Sequence, residues 1–245
     1  MSNAIPVGGD FDAGGRPCWR TTRDTAAVDR REVLRYLGYP ARVTPPSWLV
    51  PLLDRWVEEA QRHARPSAIW TVLPVVEIGR RRLVLRAENG NVEFEGAIGE
   101  FLAASKHVAA FVATAGPGVE RLAEELMRDG EQLAALIVNA VGSERAEAVE
   151  ASVIEALRAD TPTSGLTPTL PYSPGYCGMA LTEQRKLFSI FAGRVTGVVL
   201  SDDCLMQPLK SVSGLIGLGL PEEVQHFGSP CDRCDAKRCA MRRSA

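Results

Sequence analysis

The sequence predicts a single α+β domain, an irregular mixed or antiparallel sheet flanked by helices. Three observations carry that expectation. A β-prone stretch from Ala68 to Leu85 follows two helical patterns, and further apolar runs recur at Val108–Thr114 and Val212–Leu218. A long helical pattern separates those last two runs. Finally, 245 residues with 45% apolar and 24% charged side chains suffice to bury roughly 70% of the unfolded surface without metals or disulfides.

The elements follow in order. Residues 1–29, rich in Gly, Asp and Thr, show no period and are expected to form a flexible arm. A helix begins near Asp29, with Val33, Leu34 and Leu37 on one face and Gly38 as its stop. Pro45-Pro46-Ser47 opens a second helix, capped by Ser47, with Leu49, Leu52, Leu53, Trp56 and Val57 as its buried stripe and Arg65-Pro66 as its end. Ile69–Leu73, Val75–Ile78 and Arg82–Leu85 read as strands, with Val92–Phe94 a short fourth. A helix over about 97–105 leads to the Val108–Thr114 strand. Gly116-Pro117-Gly118 then turns into an amphipathic helix reaching Arg128, and a longer helix runs from about Glu131 to Arg158. Asp160–Pro174, dense in Thr, Pro and Ser, reads as a loop, and a helix through Leu187 and Phe191 ends near Gly193. Val195–Leu200 and Val212–Leu218 are strand candidates. Residues 30–228 thus form the domain and 229–245 a basic, Cys-rich tail.

Charge and hydropathy exclude several functions. With 28 basic against 30 acidic residues, the net charge of −2 argues against nucleic-acid binding, which needs a basic excess. No apolar run nears the ~20 residues of a membrane span. The N-terminus carries no secretion signal, so a cytoplasmic location is expected.

Four motifs bear chemistry. Tyr172-Ser173-Pro174-Gly175-Tyr176 makes a tight turn that presents Tyr176, although the pair also suits an ordinary Pro-Gly turn. In Lys210-Ser211-Val212-Ser213-Gly214-Leu215-Ile216-Gly217, small residues at alternate positions leave a strand face flat for a ligand. The glycines there do not match a dinucleotide-binding spacing. Glu147 stands on the long helix with Glu144, Glu150 and Glu155; it is either a solvated glutamate or a carboxylate facing the Pro-Gly turn. Cys231, Cys234 and Cys239 have a spacing for zinc or an iron–sulfur cluster, both of which take four ligands. The fourth is then Cys204, Cys177, His226, a partner or a small molecule. No Ser-His or His-Asp constellation points to a catalytic residue.

Read together, Glu32–Tyr39, Ala113-Thr114-Ala115-Gly116-Pro117, Ala140-Val141-Gly142-Ser143, Ser173–Tyr176, Lys210–Gly214 and the Cys-rich end occur in one order. That series resembles the activation (S-adenosylmethionine-binding) domain of cobalamin-dependent methionine synthase, in the free-standing bacterial form ending C-x2-C-x4-C-x2-R, here closing at Arg242. The resemblance covers about residues 30–243. It implies a reactivation role: an oxidised cobalamin on a methyltransferase or corrinoid partner takes an electron from a flavodoxin-like or ferredoxin-like donor and a methyl group from S-adenosylmethionine. It further implies that Glu147, Pro174, Gly175, Tyr176, Ser211, Ser213, Gly214, Ile216 and Gly217 contact S-adenosylmethionine. Two positions depart from the family: Pro171 stands where an Arg binds the ligand carboxylate, and Ile216-Gly217 replaces an aromatic pair. Arg185 and Arg194 are the candidate substitutes for the missing cation.

Overall fold

The computed structural model describes residues 20–23, 27–39, 43–176, 178–195 and 197–224. The chain runs β1 (Arg20–Arg23), α1 (Arg30–Tyr36), α2 (Leu49–His63), β2 (Ser67–Gly79), β3 (Arg82–Ala87), β4 (Gly90–Glu95), α3 (Ile98–Phe101) and β5 (His107–Thr114). It continues with α4 (Pro117–Arg128), α5 (Gln132–Ala159), α6 (Thr161–Ser164), β6 (Thr167–Tyr172), α7 (Glu183–Ile190), β7 (Val199–Leu200), β8 (Met206–Gln207) and β9 (Ser211–Gly219). One sheet has the order β4-β3-β2-β5-β9-β6, with β1 paired to the first half of β2, and every pairing is antiparallel. β7 and β8 form a separate small ribbon.

Strand alternation divides the sheet's residues between two cores. Val108, Ala110 and Val112 of β5 join Leu73, Phe94, Leu215, Leu187 and Phe191 on the face covered by α3 and α7. Ala109, Phe111 and Ala113 face the other way, with Trp70, Ile216 and Leu218, against Val149, Val153 and Leu157 of α5. A third cluster binds α1, α2 and α4 to the first half of α5 through Val33, Leu53, Val57, Val119 and Val138. Because α5 serves two clusters, its middle is buried nearly all round.

Several helix ends match their sequence signals. Asp29 caps α1, its carboxylate accepting from Arg31 N at 2.8 Å, and Gly38 adopts φ +86° just beyond. A buried pair anchors this segment to α5. Glu144 and Arg145 meet at 2.6 Å, Glu144 Oε1 accepts from Asp29 N, and Arg145 donates to the Ala27 carbonyl. At α2, by contrast, Ser47 does not cap: Trp48 is the N-cap residue and makes no side-chain cap bond.

Other expectations are corrected. The segment before Asp29 contains β1, held at Arg20 by an ion pair to Asp160 and by stacking over Trp70. The two strands expected on either side of Pro74 are one strand, which stays paired because Val75 N donates to Lys106 O and a bulge follows at 75–77. The helix expected over 97–105 shrinks to α3, one turn long, and the chain takes φ +66° at Ala104. The predicted loop at 160–174 holds α6 and β6. Among the described residues of the stretch 195–200, Val199 and Leu200 alone are strand.

Candidate functional site

The Pro-Gly turn is built from its own backbone. β6 ends at Tyr172, whose buried ring stacks on Phe101 with centroids 4.5 Å apart. Tyr176 N donates to Ser173 O, Gly175 N to Met179 O, and Met179 N to Tyr176 O. Gly175 takes φ +92°, a conformation glycine adopts without the Cβ penalty. Met179 is buried in the core, so the turn is anchored beneath. Outward, Gly178 O lies so close to Gly96 that a Cβ there would stand 2.4 Å from it. Pro174 is buried, while Gly175 and Tyr176 are exposed, Tyr176 to 69%. The result is a fixed turn that holds an aromatic ring in solvent.

β9 separates the other expected contacts by face. Its register places Ser213 opposite Val112 and Val112 opposite Ile69, which in turn pairs with Thr21. This cross-strand row lies on the α7 side of the sheet. Ser213 is 2% exposed and its hydroxyl has no hydrogen-bond partner among the described residues. Ser211 is structural: its hydroxyl donates to the Pro208 carbonyl at 2.7 Å and lies 2.9 Å from Thr114 Oγ1. Gly217 N donates to Thr169 Oγ1, and a Cβ at 217 would meet Ser105 Oγ at 2.2 Å. Gly214 turns to the α5 side, where a Cβ would press on Phe111. Ile216 is fully buried there among Trp70, Phe111 and Val153. Ile216 therefore packs in the core on the α5 side of the sheet.

Glu147 is tied to α1. Its carboxylate accepts the Tyr36 hydroxyl and lies 3.5 Å from the Arg35 guanidinium, which also bonds Glu32 at 2.8 Å. Arg35 stacks over the Tyr36 ring. Burial, followed by the Glu147 carboxylate, raises the Tyr36 pKa well above the usual phenol value. The Pro-Gly turn and Glu147 thus have different immediate neighbours: Gly96, Ala97 and Leu181 for the turn, Arg35 and Tyr36 for the carboxylate.

Comparison with known proteins decides the family. The model of the vitamin B12 dependent methionine synthase activation domain matches residues 83–229, more than half of the chain. The chain belongs to that family. Its fold is also that of a solved relative: the crystal structure of the MetH reactivation domain bound to AdoHcy superposes with a TM-score of 0.69 at 15% identity. That match covers 89% of this chain and 84% of the other. No curated protein sequence matches.

In this activation domain the sequence reading missed Lys210 as a structural pivot. Its Nζ donates to Ser143 Oγ at 2.9 Å, and its stem crosses α5 at Gly142. Burial lowers its pKa, with Glu120 opposing that shift. The two motifs Ala140–Ser143 and Lys210–Gly214 therefore meet, a contact that their separate positions in the chain did not disclose. A cavity of about 210 Å³ also went unseen, lined in part by Thr21, Ser67, Thr114 and Arg194.

Cys204 is buried at φ +62° and has no disulfide partner among the described residues. Cys231, Cys234, Cys239 and the alternatives Cys177 and His226 lie outside the described residues. Among the described residues no group of three or more His, Cys, Asp or Glu is arranged to hold a metal, and no helix is long and apolar enough to cross a membrane.

Proposed function

We propose that this activation domain binds S-adenosylmethionine and supports reductive methylation of an oxidised cobalamin on a separate methionine synthase or other corrinoid methyltransferase. The observation that carries this is its likeness, over most of both chains, to a reactivation domain solved with AdoHcy. The residues present suit such a ligand. Tyr176 offers an exposed ring to a sulfonium or an adenine. Ser213 offers a buried hydroxyl with no partner among the described residues, the kind of orphaned group that a ligand satisfies. When bound, S-adenosylmethionine supplies the methyl group and the reduced corrinoid the electron pair that takes it, leaving S-adenosylhomocysteine. No proton changes hands in that step, so this chain's work is to orient the ligand and hold the partner in register. The electron comes from a flavodoxin-like or ferredoxin-like donor.

The test supplies S-adenosylmethionine labelled at the methyl carbon, a chemical reductant and an oxidised corrinoid methyltransferase. Label reaching the corrinoid only when this protein is present supports the reading, and equal transfer without it contradicts it.

A further inference from the structure

We propose that the groove between α4 and α5 is a self-association face, which seats a second copy of this chain across a two-fold axis. Its volume is about 560 Å³, and among the described residues only α4, α5 and the Leu209–Lys210 segment line it. α4 turns Leu122, Glu125 and Leu126 to the cleft it shares with Trp56 of α2, and Glu120, Ala123, Glu124 and Met127 to the groove. The helix pair thus carries α2 on one flank and the groove on the other.

Shape and apolarity favour a contact of this face with itself. Ala123 and Ala135 make a shallow floor, and around it stand Met127 and Leu136, each 55% exposed, and Leu209, 61% exposed. Leu209 is fixed there because its N–H donates to Glu120 Oε2 at 3.0 Å. Leu133, one turn before Leu136 on α5, adds another exposed side chain. Such a cluster differs from the singly scattered apolar residues of an ordinary surface. One face carries both the projecting side chains and the hollow between them, which is what an isologous contact requires.

The charges select a second copy as the occupant. The α5 wall, made by Ala135, Leu136 and Asn139, has none. Of the charged residues in the lining, Glu120 holds the Leu209 N–H and Lys210 holds Ser143. Glu124 and Arg128 are exposed and have no ion-pair partner among the described residues. They stand one turn apart on α4, about 6 Å along its axis. When two α4 helices meet antiparallel with the two-fold axis between these positions, Arg128 of each copy falls opposite Glu124 of the other. Two reciprocal ion pairs then flank Met127 and Leu136. A wholly acidic or wholly basic occupant would match only one of the two charges. α4 has 12 residues, a length of about 18 Å, so this face belongs with the small, transient interfaces below about 1,200 Å². A dissociation constant of roughly 10–100 μM is expected.

Sedimentation equilibrium of the full chain, from about 1 to about 500 μM, tests this. The wild type should dimerise within that range. Leu136→Glu should weaken the dimer at least about ten-fold, since each contact then brings two unpaired carboxylates into apolar surroundings. Arg128→Glu and Glu124→Arg should each weaken it about ten-fold, because the reversed charge meets a like charge twice across the axis. The variant carrying both reversals should return to within about three-fold of the wild type. All three positions are exposed, and unchanged thermal unfolding shows that each variant is folded. A wild type that stays monomeric at about 500 μM, a dimer indifferent to Leu136→Glu, or a double variant no better than the single ones overturns the proposal. So does a monomeric wild type that binds a purified corrinoid methyltransferase and loses that binding in Leu136→Glu, which assigns the groove to that partner.

Discussion

Gly142 lies directly beneath the stem of Lys210: a Cβ at position 142 would stand 2.8 Å from Lys210 Cγ and 3.1 Å from a Val119 methyl. The absence of that one carbon lets the segment entering β9 pass across α5 and reach Ser143. The Gly142→Ala variant should therefore be destabilised by about 1–2 kcal/mol, overpacking outweighing the helix propensity gained. In a Lys210→Ala background the same change should become neutral or stabilising. Urea denaturation of the four proteins reads this sign reversal directly, and additive effects would show that Lys210 is not the obstacle.

Tyr36 gives a pH-dependent prediction. Its folded pKa is raised by burial and by Glu147, while in the unfolded chain it ionises near about 10. Above that value the native state keeps a proton that the unfolded state has lost, so its stabilisation falls as pH rises and is complete below it. Between pH ~9 and ~11 the wild type should lose up to about 1.4 kcal/mol more than Tyr36→Phe, whose contribution does not titrate. Parallel denaturation profiles for the two proteins would contradict this.

Gly96 tests the anchoring of the turn. It sits at φ +104°, and an added Cβ would stand 2.4 Å from the Gly178 carbonyl. Gly96→Ala should lower stability by about 1–3 kcal/mol and weaken S-adenosylmethionine binding without touching the ligand. Lost stability with unchanged affinity would place the turn outside the ligand site.

The tail carries its own prediction. If Cys231, Cys234 and Cys239 hold a metal, protein purified without oxygen should carry about one equivalent of zinc or show iron–sulfur absorbance, and Cys234→Ser should abolish it. Colourless, metal-free protein with three titratable thiols in the tail contradicts that role.

Much of this molecule was legible because local signals agreed with tertiary need. Asp29, Gly38 and Pro117 marked helix ends where the structure has them. β6 was hidden by Pro168 and Pro171, residues that normally argue against a strand. They are tolerated because β6 is an edge strand with a register shift between them. β1 lies in a stretch with no apolar period, and its pairing rests on the free edge of β2. The 97–105 helix stops at Phe101: Leu102 is its C-cap and the chain takes φ +66° at Ala104, which a continuing helix cannot. In the candidate site, the small-residue strand and the turn were visible as motifs. Which face each residue takes depends on register, which set Ser213 on one side and Ile216 on the other. The Arg194 cavity joins four distant segments, and no local pattern announces it.

The central claim is that this domain binds S-adenosylmethionine at the turn presenting Tyr176. Isothermal titration of the wild-type chain and of Tyr176→Ala tests it most directly. Saturable heat with the wild type, and an affinity about ten-fold weaker in the variant from loss of a stacking ring, is the predicted result. Absence of any binding heat at millimolar ligand would contradict it.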